Sequence, residues 1–212
     1  NTVSTVKENL FSGRYKTPLL LAFLIAFFNQ LSGINFVLYY APEILERAGL
    51  ASQESLFSSI SIGIVNLIFT FVGIRLLDKW GRKQLMKIGS LGYIISLAMV
   101  GWCFYTGASS MLLLTFVLVF IASHAIGQGA VIWVFISEVF PTHLRASGQS
   151  FGSSVHWVLA ALIPSMIPFL FSIVGAGLVF ALFALIMTIQ LIWVRFKMPE
   201  TKGLSLEKLN KN

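Results

Sequence analysis

The stretch Asn29-Gln30-Leu31-Ser32-Gly33-Ile34-Asn35 interrupts an otherwise apolar segment, and its reading decides the fold. Leu19 to Phe28 before it and Phe36 to Tyr40 after it have the character of membrane-embedded chain, with no charge between Lys16 and Glu43. Three carboxamides and a hydroxyl in hydrocarbon are costly unless they pair with one another or face a polar cavity. Gly33 in their midst permits a break or a close approach that an intact helix does not. The stretch reads as part of a transmembrane helix lining a pathway for a neutral polar substrate.

Composition agrees with that reading. The chain is 57% hydrophobic and 11% charged, with mean hydropathy +0.85, which sets it apart from soluble globular domains. It does not begin with Met and shows no signal-peptide pattern, so it is expected to be a portion of a longer chain. The single Cys103 lies in an apolar segment and reads as a buried small side chain, neither half of a disulfide nor a metal ligand. No metal or other cofactor is implied.

Six apolar segments reach the roughly 20 residues that a membrane-spanning helix needs. They run from Pro18 to Tyr40, Leu56 to Leu77, Leu85 to Tyr105, Met111 to Ser137, Ala146 to Leu170, and Ser172 to Val194. A polar connection is expected from Ala41 to Ser55. The organisation is thus a cytoplasmic segment over 1–17, a six-helix bundle over 18–196, and a cytoplasmic tail over 197–212.

Of the 15 Lys and Arg residues, all but Arg47 fall in the N-terminal segment, the second and fourth connections, or the tail. That bias places both termini in the cytoplasm. The net charge of +7 is therefore a topology signal, and nucleic-acid binding is not expected. Trp80, Trp102 and Trp193, near helix ends, suit interfacial anchoring.

Several residues suggest chemistry. Ser32, Asn35 and Tyr39 share one face at spacings of three and four. Gln30 lies roughly 140° from Asn35 on an ideal helix, so both reach one cavity only if the helix bends or unwinds near Gly33. Asn66 sits mid-span, suited either to bonding helix to helix or to contacting a ligand. Gly127-Gln128-Gly129 ahead of Trp133 gives thin backbone beside an indole, either a bend with a ring-stacking wall or a packing site. His156 and Trp157 again set a polar group beside an indole. On the cytoplasmic side, Asp78-Lys79-Trp80-Gly81-Arg82-Lys83 forms a tight charged turn. Glu138, in Ser137-Glu138-Val139-Phe140-Pro141, is placed to pair with Arg145.

Together these residues resemble the C-terminal six-helix half of the sugar porter family of the major facilitator superfamily. The markers are Gln30 to Asn35 with Tyr39-Tyr40, the loop Asp78 to Lys83, Trp133 with Ser137 to Pro141, and Pro199-Glu200-Thr201-Lys202-Gly203. The resemblance covers nearly the whole chain. It implies an all-α integral membrane fold in the cell membrane, plasma or inner, that moves a monosaccharide by alternating access against an N-terminal six-helix half. It implies sugar contacts from Asn29, Gln30, Asn35, Tyr39, Asn66, Gly129, Trp133, His156 and Trp157. It also implies a gate at Tyr40 and a cytoplasmic charge network of Asp78, Arg82, Glu138 and Arg145. The family usually carries Gln where Asn29 stands, and Gln or Asn where His156 stands. Its relatives include facilitators and proton symporters. No Asp or Glu lies mid-membrane in this chain, so a coupling carboxylate is expected from the other half.

Two other classes compete with this reading. An intramembrane hydrolase built on His124, His143 and His156 lacks the HExxH pattern of paired metal-binding histidines. A membrane sugar sensor, or a half-domain that does not transport by itself, shares every feature above, because six helices supply one side of a two-sided cavity.

Overall fold

Continuous apolar sequence with few breakers produces long helices, and a computed structural model of the chain describes residues 10–203. The cytoplasmic segment and tail assigned from sequence, with Lys7, Lys208 and Lys211, lie partly or wholly outside the described residues. The helices are α1 (Lys16–Leu31), α2 (Ile34–Tyr39), α3 (Ala41–Arg47), α4 (Ser52–Trp80), α5 (Arg82–Thr106) and α6 (Ser110–His124). A π-helical turn, Ala125–Gly129, joins α6 to α7 (Ala130–Val139), and α8 (Arg145–Val174) and α9 (Ala176–Phe196) complete the bundle. Six spans of membrane-crossing length result: 13–39, 52–80, 82–106, 110–139, 142–174 and 176–196.

All six expected segments are present, with three differences. The connection between the first two spans is not wholly irregular, because Ala41–Arg47 is helical with proline in its first turn. The fifth span runs past Leu170 to Val174, carrying Pro164 and Pro168 inside it. Each proline removes one helical N–H, which a packed membrane helix tolerates. Trp193 is no interfacial anchor: it is buried, 5.7 Å from the Phe28 ring. Trp80 and Trp102 remain exposed near helix ends, and Cys103 is buried as expected.

α1 belongs to the most enclosed span: two thirds of the apolar window of 13–39 is buried (67%), against 17% for α4. It packs on α8 and α7, while α5 packs on α9, α6 and the π turn. The approach of α5 to the π turn is backbone to backbone: a Cβ on Gly89 would lie 2.8 Å from the Gly127 Cα. Only paired glycines allow that distance, and it brings Tyr93 of α5 beside the π turn.

Candidate functional site

The break that the opening stretch foretells is present, and it is internally satisfied. At the end of α1 the Ser32 amide donates to the Phe28 carbonyl (3.1 Å) and the Gly33 amide to the Gln30 carbonyl (3.1 Å). The Ser32 hydroxyl donates to the Asn29 carbonyl (2.6 Å) and accepts from the Ile34 amide (3.3 Å). Gly33 adopts φ +80°, and the Phe183 ring of α9 occupies the place a Cβ would take, 2.5 Å from it. No other residue type meets both conditions without strain.

The break folds the polar residues onto one another. The Gln30 amide nitrogen donates to Asn29 Oδ1 (2.9 Å) and toward the His156 ring, 3.2 Å from Nδ1 and 3.3 Å from Nε2. Gln30 Oε1 accepts from Asn35 Nδ2 (3.0 Å). Gln30 is 1% exposed, so it organises the site from behind. The surface facing the cavity belongs to its partners.

That cavity, about 320 Å³, is lined by Asn29, Asn35, Asn66, Gly129, Trp133, His156 and Trp157, together with Thr70, His124 and apolar neighbours. His156 packs against both indoles, with ring centroids 4.8 Å from Trp133 and 5.1 Å from Trp157. Trp157 is 61% exposed on the rim. No carboxylate or ammonium group lines the cavity. The Asn66 side chain makes no hydrogen bond among the described residues, which leaves its amide free for a ligand. An uncharged cavity with amides on one side and indole faces on the other matches a hydroxyl-rich ring: hydroxyls bond in the ring plane and C–H groups rest on the aromatics.

Tyr39 is exposed and does not line the cavity. The break at Gly33 separates Ser32 from this face, while Asn35 and Tyr39 stay four apart within α2; Tyr39 lies one turn further along, beyond the cavity. Tyr40, between α2 and α3, stacks on Phe36 at 5.2 Å. Thr70, which did not stand out in the sequence, and His124, weighed there only for a hydrolase, join the lining. Thr70 sits one turn after Asn66 and donates to its carbonyl (2.7 Å), a spacing legible in sequence. His124 is five residues before Gly129, about 140° away on an α-helix. The π turn closes i→i+5 and returns it to the cavity face.

At the end of the bundle where α4 meets α5, Arg82 grips Glu138 through two bonds, Nε to Oε2 (2.9 Å) and Nη2 to Oε1 (2.7 Å). Asp78, largely exposed, approaches Arg82 at 3.5 Å. Thr201 Oγ1 donates to Glu138 (2.6 Å). Glu200 accepts from four backbone amides, those of Arg82, Lys83, Thr201 and Lys202, at 2.9–3.0 Å. Its carboxylate thus caps the N-terminus of α5 and seats the tail on it. The expected pairing of Glu138 with Arg145 is not formed. Extended backbone at Phe140 and Pro141 carries the chain away, and Arg145 lies exposed at the start of α8.

The chain matches the family described as "Sugar (and other) transporter" over residues 2–212. The chain belongs to that sugar transporter family, within the major facilitator superfamily. Among its relatives, the arabinose-proton symporter of Bacillus subtilis is 34% identical over 96% of this chain and 44% of its own length. The glucose facilitated diffusion protein of Zymomonas mobilis is 36% identical over 87% and 40%. The D-xylose-proton symporter of Escherichia coli is 32% identical over 98% and 45%. A solved inward-open structure of the E. coli xylose transporter XylE superimposes with TM-score 0.83 at 30% identity, covering 96% of this chain and 43% of that one. A double-tryptophan XylE variant gives TM-score 0.86 at 30% identity over 92% and 42%. The sugar transporter chain thus spans less than half the length of these relatives. Its six apolar helices and its family make it a multi-pass membrane protein.

Proposed function

We propose that the chain is the C-terminal six-helix half of an alternating-access monosaccharide transporter and supplies one wall of its sugar site. The observation that carries this is the convergence of Asn29, Asn35, Asn66 and His156 with the indoles of Trp133 and Trp157 in one uncharged cavity. Neutral amides offer donor and acceptor without a charge to desolvate, which suits hexoses and pentoses. The names of the relatives agree: arabinose, glucose and xylose are all monosaccharides. Gln30 holds Asn29, Asn35 and His156 in register, and Gly129 leaves room for the His124 ring.

The exposed rim at Trp157 is the side that an N-terminal half covers in this reading. Both termini face the cytoplasm, following the placement of Lys and Arg. The cluster of Asp78, Arg82, Glu138, Thr201 and Glu200 holds the cytoplasmic ends of α4, α5 and α7 with the tail, and stabilises one of the two access states. Arg145, exposed at the same end, is available to the other half. The cavity contains no carboxylate of this chain, so any proton-coupling carboxylate comes from the partner half.

The test is uptake of radiolabelled glucose, xylose and arabinose into proteoliposomes by the transporter assembled with its N-terminal half. Saturable uptake of at least one is expected, and none by the chain alone. Binding without uptake by the assembled protein would replace transport with a sensor role. Uptake by the chain alone would overturn its assignment as half of the site.

A further inference from the structure

The cavity contains one polar atom that neither the amide cluster nor the indole walls explain, Nε2 of His124. His124 is partly exposed to the cavity, and its ring is anchored from behind. The Tyr93 hydroxyl, on a side chain 0% exposed in α5, lies 2.6 Å from His124 Nδ1 and donates to Gln128 Oε1 at 3.1 Å. A phenol has a single proton. With that proton on Gln128 Oε1, the amide orientation assigned here, the bond to His124 runs from Nδ1–H to the phenol oxygen. Nε2 is then the unprotonated nitrogen, carrying a lone pair. Nδ1 and Nε2 point in different directions from the ring, and the Nε2 edge is the one beside Gly129, another lining residue. Nε2 has no protein partner among the described residues.

We propose that His124 is a specificity-determining residue of the sugar site, its Nε2 accepting a hydrogen bond from one sugar hydroxyl, and that Tyr93 is the positioning residue that fixes its ring and tautomer. The inference rests on the sugar reading of the cavity. Three features of the fold make it: the Gly89–Gly127 contact brings Tyr93 to the π turn, the π turn aims His124 at the cavity, and Gln128 takes the phenol proton. Asn29, Asn35 and Asn66 are amides that satisfy a hydroxyl as donor or acceptor alike. A neutral imidazole held in one tautomer asks for a donor at one ring position only, which is a sharper demand.

The experiment is equilibrium binding to the assembled transporter, followed by tryptophan fluorescence. The probes are whichever of glucose, xylose and arabinose binds, with its monodeoxy and monodeoxyfluoro analogues. At one ring position both analogues should bind about tenfold more weakly than the parent, because fluorine cannot donate a hydrogen bond. In His124→Phe the parent should weaken about tenfold, and preference at that position should fall to within twofold while preferences at other positions persist. His124→Gln should recover part of the lost preference, and Tyr93→Phe should lower preference at that same position alone. Should His124→Phe fail to fold, the other two variants carry the test. Unchanged preferences across the variants overturn the inference and leave the sugar reading intact. A fluoro analogue that binds like the parent at the sensitive position overturns the assigned tautomer. A wild-type transporter that binds no monosaccharide overturns both.

Discussion

Gln30 and His156, 126 positions apart in sequence, meet where the Gln30 amide nitrogen comes within 3.2 Å of the imidazole, tying the end of α1 to α8. Because the same side chain also holds Asn29 and Asn35, one buried residue sets three groups of the cavity wall. Gln30→Ala strands all three at once. Sugar affinity of the assembled transporter is expected to fall by about 1–3 kcal/mol, the usual cost of leaving buried polar partners unmade. Isothermal titration with the transported sugar measures it, and unchanged affinity in a folded variant sinks the organising role of Gln30.

The His156 side of that contact separates hydrogen bonding from packing. His156→Gln keeps an acceptor for Gln30, whereas His156→Leu keeps volume between Trp133 and Trp157 but no polar atom. The Gln variant is expected to hold affinity within about threefold, and the Leu variant to lose about 1–3 kcal/mol. A double-mutant cycle of Gln30→Ala with His156→Leu should give a coupling energy of about 0.5–3 kcal/mol. Additive losses would show that the two residues act independently.

Gly33 invites a two-part measurement. Gly33→Ala meets a left-handed backbone and the Phe183 ring together, and is expected to lower stability by about 1–3 kcal/mol. Adding Phe183→Ala removes the steric part and leaves the conformational part. The double variant should therefore retain the φ penalty, along with a new cavity cost at Phe183. Thermal unfolding in detergent decides: a wild-type melting temperature for Gly33→Ala would mean that the break adapts.

Much of this architecture was legible in the sequence because membrane helices announce themselves by length and hydropathy. The break at Gly33 was legible too, since three amides and a glycine in hydrocarbon are stable only where the helix opens and lets them pair. The residues that escaped did so for physical reasons. His124 was hidden by the π turn, which changes helical phase where the sequence shows only two glycines flanking a glutamine. Tyr39 shares a face of α2 with Asn35 but sits one turn further along, beyond the cavity, and spacing alone does not show where the cavity ends. Arg145 was expected on Glu138, but extended backbone carries it away, and Glu138 pairs with Arg82, a member of the same expected network. The role of Glu200, four amides gathered by one carboxylate, depends on a tail folding back onto α5, which no local pattern specifies.

The cluster around Arg82 and Glu138 allows a test with an internal control. Arg82 is 9% exposed on its side chain, and its two bonds to Glu138 are its strongest partners. Glu138→Gln removes the charge and one of the two acceptor oxygens, leaving that guanidinium with a single amide oxygen, the Leu77 carbonyl (3.1 Å) and the exposed Asp78. Breaking one side of a partly buried, bidentate pair costs about 3 kcal/mol, so the access state that contains this network should lose most of its population advantage. Asp78→Asn removes a contact at 3.5 Å in which the aspartate side chain is 87% exposed, and is expected to change stability by less than about 0.5 kcal/mol. Labelling of single cysteines placed on the two sides of the assembled transporter reports the population. Glu138→Gln should change the ratio of inside to outside labelling, and Asp78→Asn should not. Equal effects from the two variants would mean that net charge at this end, rather than the Arg82–Glu138 fork, holds the state.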